Sequence, residues 1–257
     1  MNVDKDNFIQ VRGLKKKIGK QEILRGLDLS VNQGETLVLI GPSGEGKSVL
    51  LKHLIGLMKP DEGEVYIQGR EITGLPEREL SQVRTKIGFL FQSAALFDSM
   101  TVAENVAFPL KEAGIRNKDE RRERVREALE LVELDEHMDK MPISLSGGMR
   151  KRVGIARAIV AKPECILYDE PTAGLDPIVT DIIDHMIMRL QQRFGVTSIV
   201  VTHDMKSVFK IANRVAMLRH GVMRFCGTPE QLNSSQEPDL QDFIQGRSGF
   251  TVERGAV

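Results

Sequence analysis

The sequence predicts an α/β chain built on a mainly parallel, doubly wound sheet, and three observations carry that prediction. Short apolar runs, "TLVLIG" (36–41), "CILYDE" (165–170) and "TSIVVTHD" (197–204), have the continuous character of strands buried on both faces. Helical patterns follow each of them, and strand–helix alternation implies parallel strands. From about 92 to 161 the pattern is mostly helical, so a helical lobe is expected between strands of the sheet. A length of 257 residues fits one domain, 1–257, with such an insert and a C-terminal tail from about 228.

The elements follow in order. "FIQVRGL" (8–14) and "LDLSV" (27–31) alternate as half-exposed strands of an N-terminal antiparallel β subdomain. After "TLVLIG" comes a glycine-rich turn, then a helix over "KSVLLKHLIGLM" (47–58) with Val49, Leu50, Leu54 and Leu57 in its apolar set. "PDEGEVYIQGREI" reads as a hairpin and "KIGFLFQ" (86–92) as a strand. "NKDERRERVREALELVEL" (117–134) is an amphipathic helix with Asn117 as its cap and Val125, Ala128, Leu129 and Val132 facing inward. Its Arg and Glu residues read as a solvated face. Helices are expected over 177–194 and 205–212, and a closing hairpin turns at His220-Gly221.

Composition narrows the function. Thirty-six basic and 36 acidic residues cancel, so nothing global argues for a nucleic-acid partner. Aromatic residues are 5% with no Trp, which leaves no stacking platform for single strands. Two cysteines, Cys165 and Cys226, are too few for a disulfide framework, and Cys165 reads as a small core residue. No apolar run approaches the roughly 20 residues that cross a bilayer, and no signal segment is seen, so a membrane role is expected only through a partner.

"GPSGEGKS" (41–48) fits G-x-x-x-x-G-K-[ST] in full. Gly41, Gly44 and Gly46 let the backbone of Gly41, Pro42, Ser43, Gly44, Glu45 and Gly46 turn its N–H groups toward phosphate oxygens. The helix that follows adds the positive end of its dipole. Lys47 is placed to reach the outer phosphates, and Ser48 to hold Mg²⁺. The motif points to a nucleoside triphosphate without choosing among kinase, GTPase, helicase and motor. The absence of N-K-x-D disfavours a GTPase. In "CILYDEPTAGLDP", Asp169 ends a buried strand and suits Mg²⁺, while Glu170 beside it suits the polarisation of an attacking water. His203 ends another strand, where a doubly wound sheet opens its ligand crevice. Gln92 ends a third. Each of these also reads, alone, as an ordinary loop residue.

"LSGGMRKR" (145–152) raises a question, because it looks like a second anion-holding helix start in one chain. Together "GPSGEGKS", Gln92, "LSGGM", "ILYDEP", "GLD" and "VTHD" resemble the ATP-binding-cassette (ABC) ATPases in order and spacing, over nearly the whole chain. That resemblance implies ATP and Mg²⁺ as cofactors and a P-loop NTPase core. It implies a homodimer in which Ser146, Gly147 and Gly148 close on the ATP held by the opposite chain, with Asp176 along the seam. By the same resemblance Glu170 is the catalytic base, His203 contacts the γ-phosphate, Ser48 and Asp169 support Mg²⁺, and Gln92 links the metal site to a membrane permease. Two positions depart from the common pattern: Met149 stands where many members have Gln, and Ile18 where many stack an aromatic on adenine.

"FLFQSAALFDSMTVAENVAFPL" and "LSGGMRKRVGIARAI" are similar to the ATPase of bacterial Mla-type lipid transporters and their mammalian-cell-entry relatives. This finer resemblance implies phospholipid movement between membranes. The implied site of action is the cytoplasmic face of the inner membrane. The implied partners are an integral MlaE-like permease, an Mce-domain lipid-binding protein and a STAS-domain protein. A cassette importing another solute is the alternative. A ribosome-acting protein would carry two cassettes, and a DNA-repair ATPase a longer insert. Leu96, Phe97 and Met100 are candidates for an apolar contact with the permease, and Leu240, Phe243 and Ile244 for docking the tail.

Overall fold

A computed structural model describes residues 7–247 of the chain. β1 (Asn7–Ile18) and β2 (Gln21–Asn32) form a long antiparallel hairpin. The next strand, β3 (Thr36–Ile40), is buried at every residue and leads into α1 (Lys47–Leu54). β4 (Glu62–Ile67) and β5 (Arg70–Glu71) follow as a short hairpin, then α2 (Glu77–Arg84) and β6 (Ile87–Leu90). Three helices come next: α3 (Val102–Glu112), α4 (Lys118–Leu131) and α5 (Gly147–Ile159). The chain returns to the sheet through β7 (Cys165–Asp169), α6 (Pro177–Phe194), β8 (Thr197–Val201), α7 (Met205–Ile211), β9 (Arg214–Arg219) and β10 (Val222–Gly227). α8 (Pro229–Ser234) and α9 (Pro238–Ile244) end the described chain. The tail beyond Arg247, part of the segment expected from about 228, lies outside the described residues.

Two sheets result. One is antiparallel, in the order β2-β1-β4-β5. The other runs β10-β9-β3-β8-β7-β6, parallel except for β10. The period of two in a strand sends alternate side chains to opposite faces, and the core divides accordingly. Val38, Ile40, Ile166 and Tyr168 pack with the three inserted helices, α6 and α7. Leu37, Leu39, Cys165 and Leu167 pack with the antiparallel sheet, α1 and α2. The central sheet is thus covered on both sides, as its apolar strands require.

The sequence caps its helices where the chain must leave a strand or loop. Thr101 and Glu104 form a capping box on α3, Asn117 caps α4, Ser146 caps α5, Asp176 caps α6 and Asp204 caps α7. Three expectations are corrected. The first helix stops at Leu54 rather than 58, because Gly56 turns the chain at φ +63°, and Leu57 ends 54% exposed instead of in the core. The helix expected over 117–134 ends at Leu131, two residues before Glu133 enters the left-handed region. β1 and β2 each run 12 residues, well past the short segments read from alternation, since bulges in their pairing break the strict period of two. The Arg and Glu residues of α4 do pair on its exposed side, as in Arg124–Glu120 and Arg126–Glu123.

Candidate functional site

The crevice forms where β3, β7 and β8 deliver their C-terminal ends side by side. β3 runs out at Ile40, and residues 41–46 loop into α1. Gly41 is obligatory here: a Cβ at its position would stand 2.1 Å from the Leu218 carbonyl oxygen, so the loop can lie this close to β9 only without a side chain. Lys47 is buried, and its Nζ donates to the carbonyls of Gly41 (2.7 Å) and Pro42 (2.8 Å) across the loop. Burial lowers the pKa of this lysine, against the pull of Glu170, Asp169 and Glu45. Glu45 turns its carboxylate outward to accept the His220 N–H in the β9–β10 turn. Its side chain therefore braces the loop, and only its backbone is left to face an anion.

The Ser48 hydroxyl donates to Asp169 Oδ1 at 3.0 Å, although the two residues come from opposite halves of the chain. This hydroxyl–carboxylate pair beside an open glycine loop is the oxygen donor set that Mg²⁺ takes alongside phosphate oxygens, so the residues present fit the metal and its nucleotide. Glu170 follows Asp169 in a left-handed backbone conformation, φ +50°. A non-glycine residue there costs about 1–3 kcal/mol and persists only where its surroundings fix it. Its N–H donates to the Val201 carbonyl at 3.0 Å, and its own carbonyl accepts from Lys151 Nζ at 2.9 Å. The turn aims the Glu170 carboxylate across the crevice, where Oε2 lies 3.0 Å from His203 Nδ1. A proton on Nδ1 donated to the carboxylate leaves Nε2 on the exposed side of the ring.

Gln92 stands exposed just beyond β6, with its carbonyl accepting from Lys151 Nζ. The loop that follows is pinned from below by two buried polar side chains. Arg157 donates to the carbonyls of Ala94 and Ala95, both in left-handed conformation. Asn105, with no exposed surface, accepts from the Phe97 N–H and donates toward the carbonyls of Phe97, Met100 and Thr101. Phe97 is thereby held partly exposed against Phe108, with ring centroids 5.0 Å apart, while Leu96 is half-buried against the core. Lys151, Arg157 and Asn105 were not singled out from sequence. Lys151 stands between two arginines in a basic run, yet it is only 6% exposed. Burial lowers its pKa, partly offset by Glu170 and Asp169.

The second helix start stands apart. Ser146 Oγ accepts the Met149 N–H at 3.2 Å, and Gly148 lies so close to α6 that a Cβ would meet Val179 at 2.5 Å. Met149 packs partly into the helical core. Asp176 accepts from the N–H groups of Ile178 and Val179, both at 3.0 Å, and so caps α6. Ile18 ends β1, half exposed. Among the described residues no hydrogen bond or ion pair joins Ile18, Ser146, Gly147, Gly148, Met149 or Asp176 to the glycine loop. Near the second helix start, Ile143 and Ile178 stand 89% and 76% exposed, a pair that neither periodicity nor motif marked. A cavity of about 840 Å³ between α4, α5 and α6 lies at the opposite ends of the strands and contains none of these groups.

The ABC transporter family matches residues 24–173. The probable ribonucleotide transport ATP-binding protein mkl of Mycobacterium leprae is 42% identical over 239 residues, covering 93% of this chain and 69% of that protein. The methionine import ATP-binding protein MetN of Brucella abortus is 41% identical over 239 residues, covering 93% of this chain and 64% of its own length. Among solved structures, a dimeric ATP-binding cassette in a post-hydrolysis state with ADP and Pi superposes with a TM-score of 0.80. It is 36% identical over 86% of this chain and 98% of that one. The cbiO1 protein of Clostridium perfringens, part of an ABC transporter complex, reaches 0.81 at 29% identity, over 90% of this chain and 92% of that one.

Proposed function

The chain belongs to the ABC transporter family, as an ATP-binding subunit that hydrolyses ATP with Mg²⁺, and from that premise we propose that its two helix N-termini serve two different nucleotides across a homodimer. The glycine loop, Gly41 to Ser48, holds one ATP in its own chain. Ser146, Gly147, Gly148 and Met149 at the start of α5 face the ATP of the second copy, with Asp176 beside them and Ile143 and Ile178 giving apolar contact along the seam. Their separation from the loop within one chain supports this reading. Ile18 supplies apolar contact to the base.

In the loop, Lys47 exchanges its carbonyl partners for the outer phosphate oxygens. Ser48 and Asp169 would hold the metal, with Gln92 as a further candidate ligand. Bound Mg²⁺ neutralises phosphate charge. Glu170, set by its turned backbone, takes a proton from the attacking water, and His203 orients the carboxylate and the γ-phosphate. The observation that carries the assignment is the pair of contacts that brings the start of α1 and the ends of β7 and β8 together: Ser48 to Asp169 and Glu170 to His203. Glu170→Gln keeps the shape and removes the base. Its turnover is expected to fall by roughly 10²–10⁴-fold with ATP binding retained. Turnover near the wild-type level would sink the role given to Glu170.

No helix among the described residues is long and apolar enough to cross a membrane. Membership of the ABC transporter family supports a permease partner that supplies the path, engaged through Gln92 and the pinned loop after it. The names of the relatives favour a solute such as a ribonucleotide or methionine over a phospholipid, so the alternative weighed in the sequence takes precedence. Phospholipid transport stands second, on the segments "FLFQSAALFDSMTVAENVAFPL" and "LSGGMRKRVGIARAI" alone, and MlaE-, Mce- and STAS-type partners stand or fall with it. Purification from native membranes, with identification of the proteins and lipids that accompany the chain, separates the two. An Mce-domain companion with bound phospholipid would reverse the order.

A further inference from the structure

We propose that Lys151 is a positioning residue for ATP hydrolysis, its ammonium tying the first turns of α5 to the peptides of Gln92 and Glu170. Nζ donates to both carbonyl oxygens, at 2.9 Å to Glu170 and closely to Gln92. These peptides lie just past the ends of the neighbouring parallel strands β6 (Ile87–Leu90) and β7 (Cys165–Asp169). Two carbonyl oxygens that converge on one point repel each other unless a donor sits between them, and at this depth water is a poor substitute. Burial disfavours the charged amine at this place, and the carboxylates of Glu170 and Asp169 offset part of that.

Glu170 depends on this contact most. Its left-handed backbone is held at the N–H by Val201 and at the carbonyl by Lys151 at 2.9 Å and by the Ala173 N–H at a longer 3.3 Å. With the shorter, charged hold gone, only the longer contact keeps the peptide after Glu170 in its turned conformation, and the carboxylate is less firmly aimed at His203. On the other side, Lys151 lies four residues after Gly147, one turn along the same face of α5. A shift of the Ser146 end on meeting an anion moves the ammonium, both carbonyls and the Glu170 carboxylate together. One path from the helix start to the catalytic carboxylate thus runs through this side chain, beside the close approach of Gly147 and Gly148 to Leu175 and Val179. This inference rests on the roles proposed above for Glu170 and for the start of α5.

Lys151→Met keeps the apolar stem and removes the donors; Lys151→Gln keeps a shorter donor. ATP turnover, ATP affinity by fluorescent-nucleotide titration and thermal melting are measured for both. The expected result for Lys151→Met is a kcat lowered by about tenfold or more with ATP affinity within about twofold, because the glycine loop is untouched. Lys151→Gln is expected to recover part of the rate. In mixed dimers where one subunit carries Glu170→Gln, Lys151→Met should slow turnover only in the subunit that retains Glu170. A folded Lys151→Met with wild-type kcat overturns the proposal. So does a parallel loss of affinity, melting temperature and rate without rescue by Gln, which would mark plain packing. Loss confined to the other subunit of the mixed dimer also overturns it. Wild-type turnover in Glu170→Gln itself would instead remove the reading beneath, which keeps the two failures distinct.

Discussion

Asn105→Ala removes the side chain on which the loop after Gln92 hangs. The carboxamide is fully buried and makes one accepted and three donated contacts, all to backbone groups of residues 97–101. Two of its partners have other bonds: Phe97 O also accepts from Met100 N, and Thr101 O from Asn105 N. The Phe97 N–H and the Met100 carbonyl are left without a partner. Each orphaned buried group costs about 1–3 kcal/mol, and partial access of water to this surface loop offsets some of it, so a loss of about 2–4 kcal/mol is expected. For a chain of this size that is a fall in melting temperature of roughly 5–12 °C. The chain has no Trp, so far-UV circular dichroism during urea titration is the suitable measurement. Asn105→Asp, which keeps the shape but not the donors and brings a charge beside carbonyls, is expected to lose at least as much. A loss below about 1 kcal/mol for Ala, or a wild-type Asp variant, would refute the view that Asn105 supports the loop.

Gly41→Ala places a Cβ against the Leu218 carbonyl at a φ of +144°, so the loop must leave its position beside β9; nucleotide titration should show affinity lowered by about tenfold or more, and unchanged affinity would contradict the geometry. Asp184 is buried between α6 and α7, accepting from Ser207 at 2.8 Å, and burial raises its pKa above the unfolded value. The folded protein therefore holds this proton where the unfolded chain has lost it. Its contribution is most favourable below the unfolded pKa and declines as pH rises through the raised one. Urea midpoints of Asp184→Asn against wild type should differ in favour of Asn near pH 8 and converge toward pH 4; a difference that grows on acidification would reverse the sign.

The glycine loop, Asp169, Glu170, His203 and the Ser146 helix start were all legible in the chain, because each is a local pattern next to a strand or helix boundary. Gly41 to Ser48 needs only a buried strand before it and a helix after it, and both are within reach of hydropathy. Asn117 and Ser146 announce their helices for the same reason: a cap bonds to N–H groups two or three residues away. The reading failed where the deciding contact is distant. Lys151 stands in the basic run "RKR", between the less buried Arg150 and Arg152, and a spacing pattern cannot say that the carbonyls of residues 92 and 170 converge on it. Leu57 looked like core because the apolar period continues past Leu54, although Gly56 turns the chain first.

What the sequence determined by itself is therefore most of the sheet strands, the glycine loop between β3 and α1, and the carboxylates at the end of β7, since backbone propensity and short-range hydrogen bonds depend on neighbouring residues. The tertiary structure alone decided that Ser48 meets Asp169, that Glu170 is held in a strained turn facing His203, and that Lys151 joins both to α5. Those contacts link segments far apart in the chain, and they exist only once the parallel sheet sets the ends of its strands side by side.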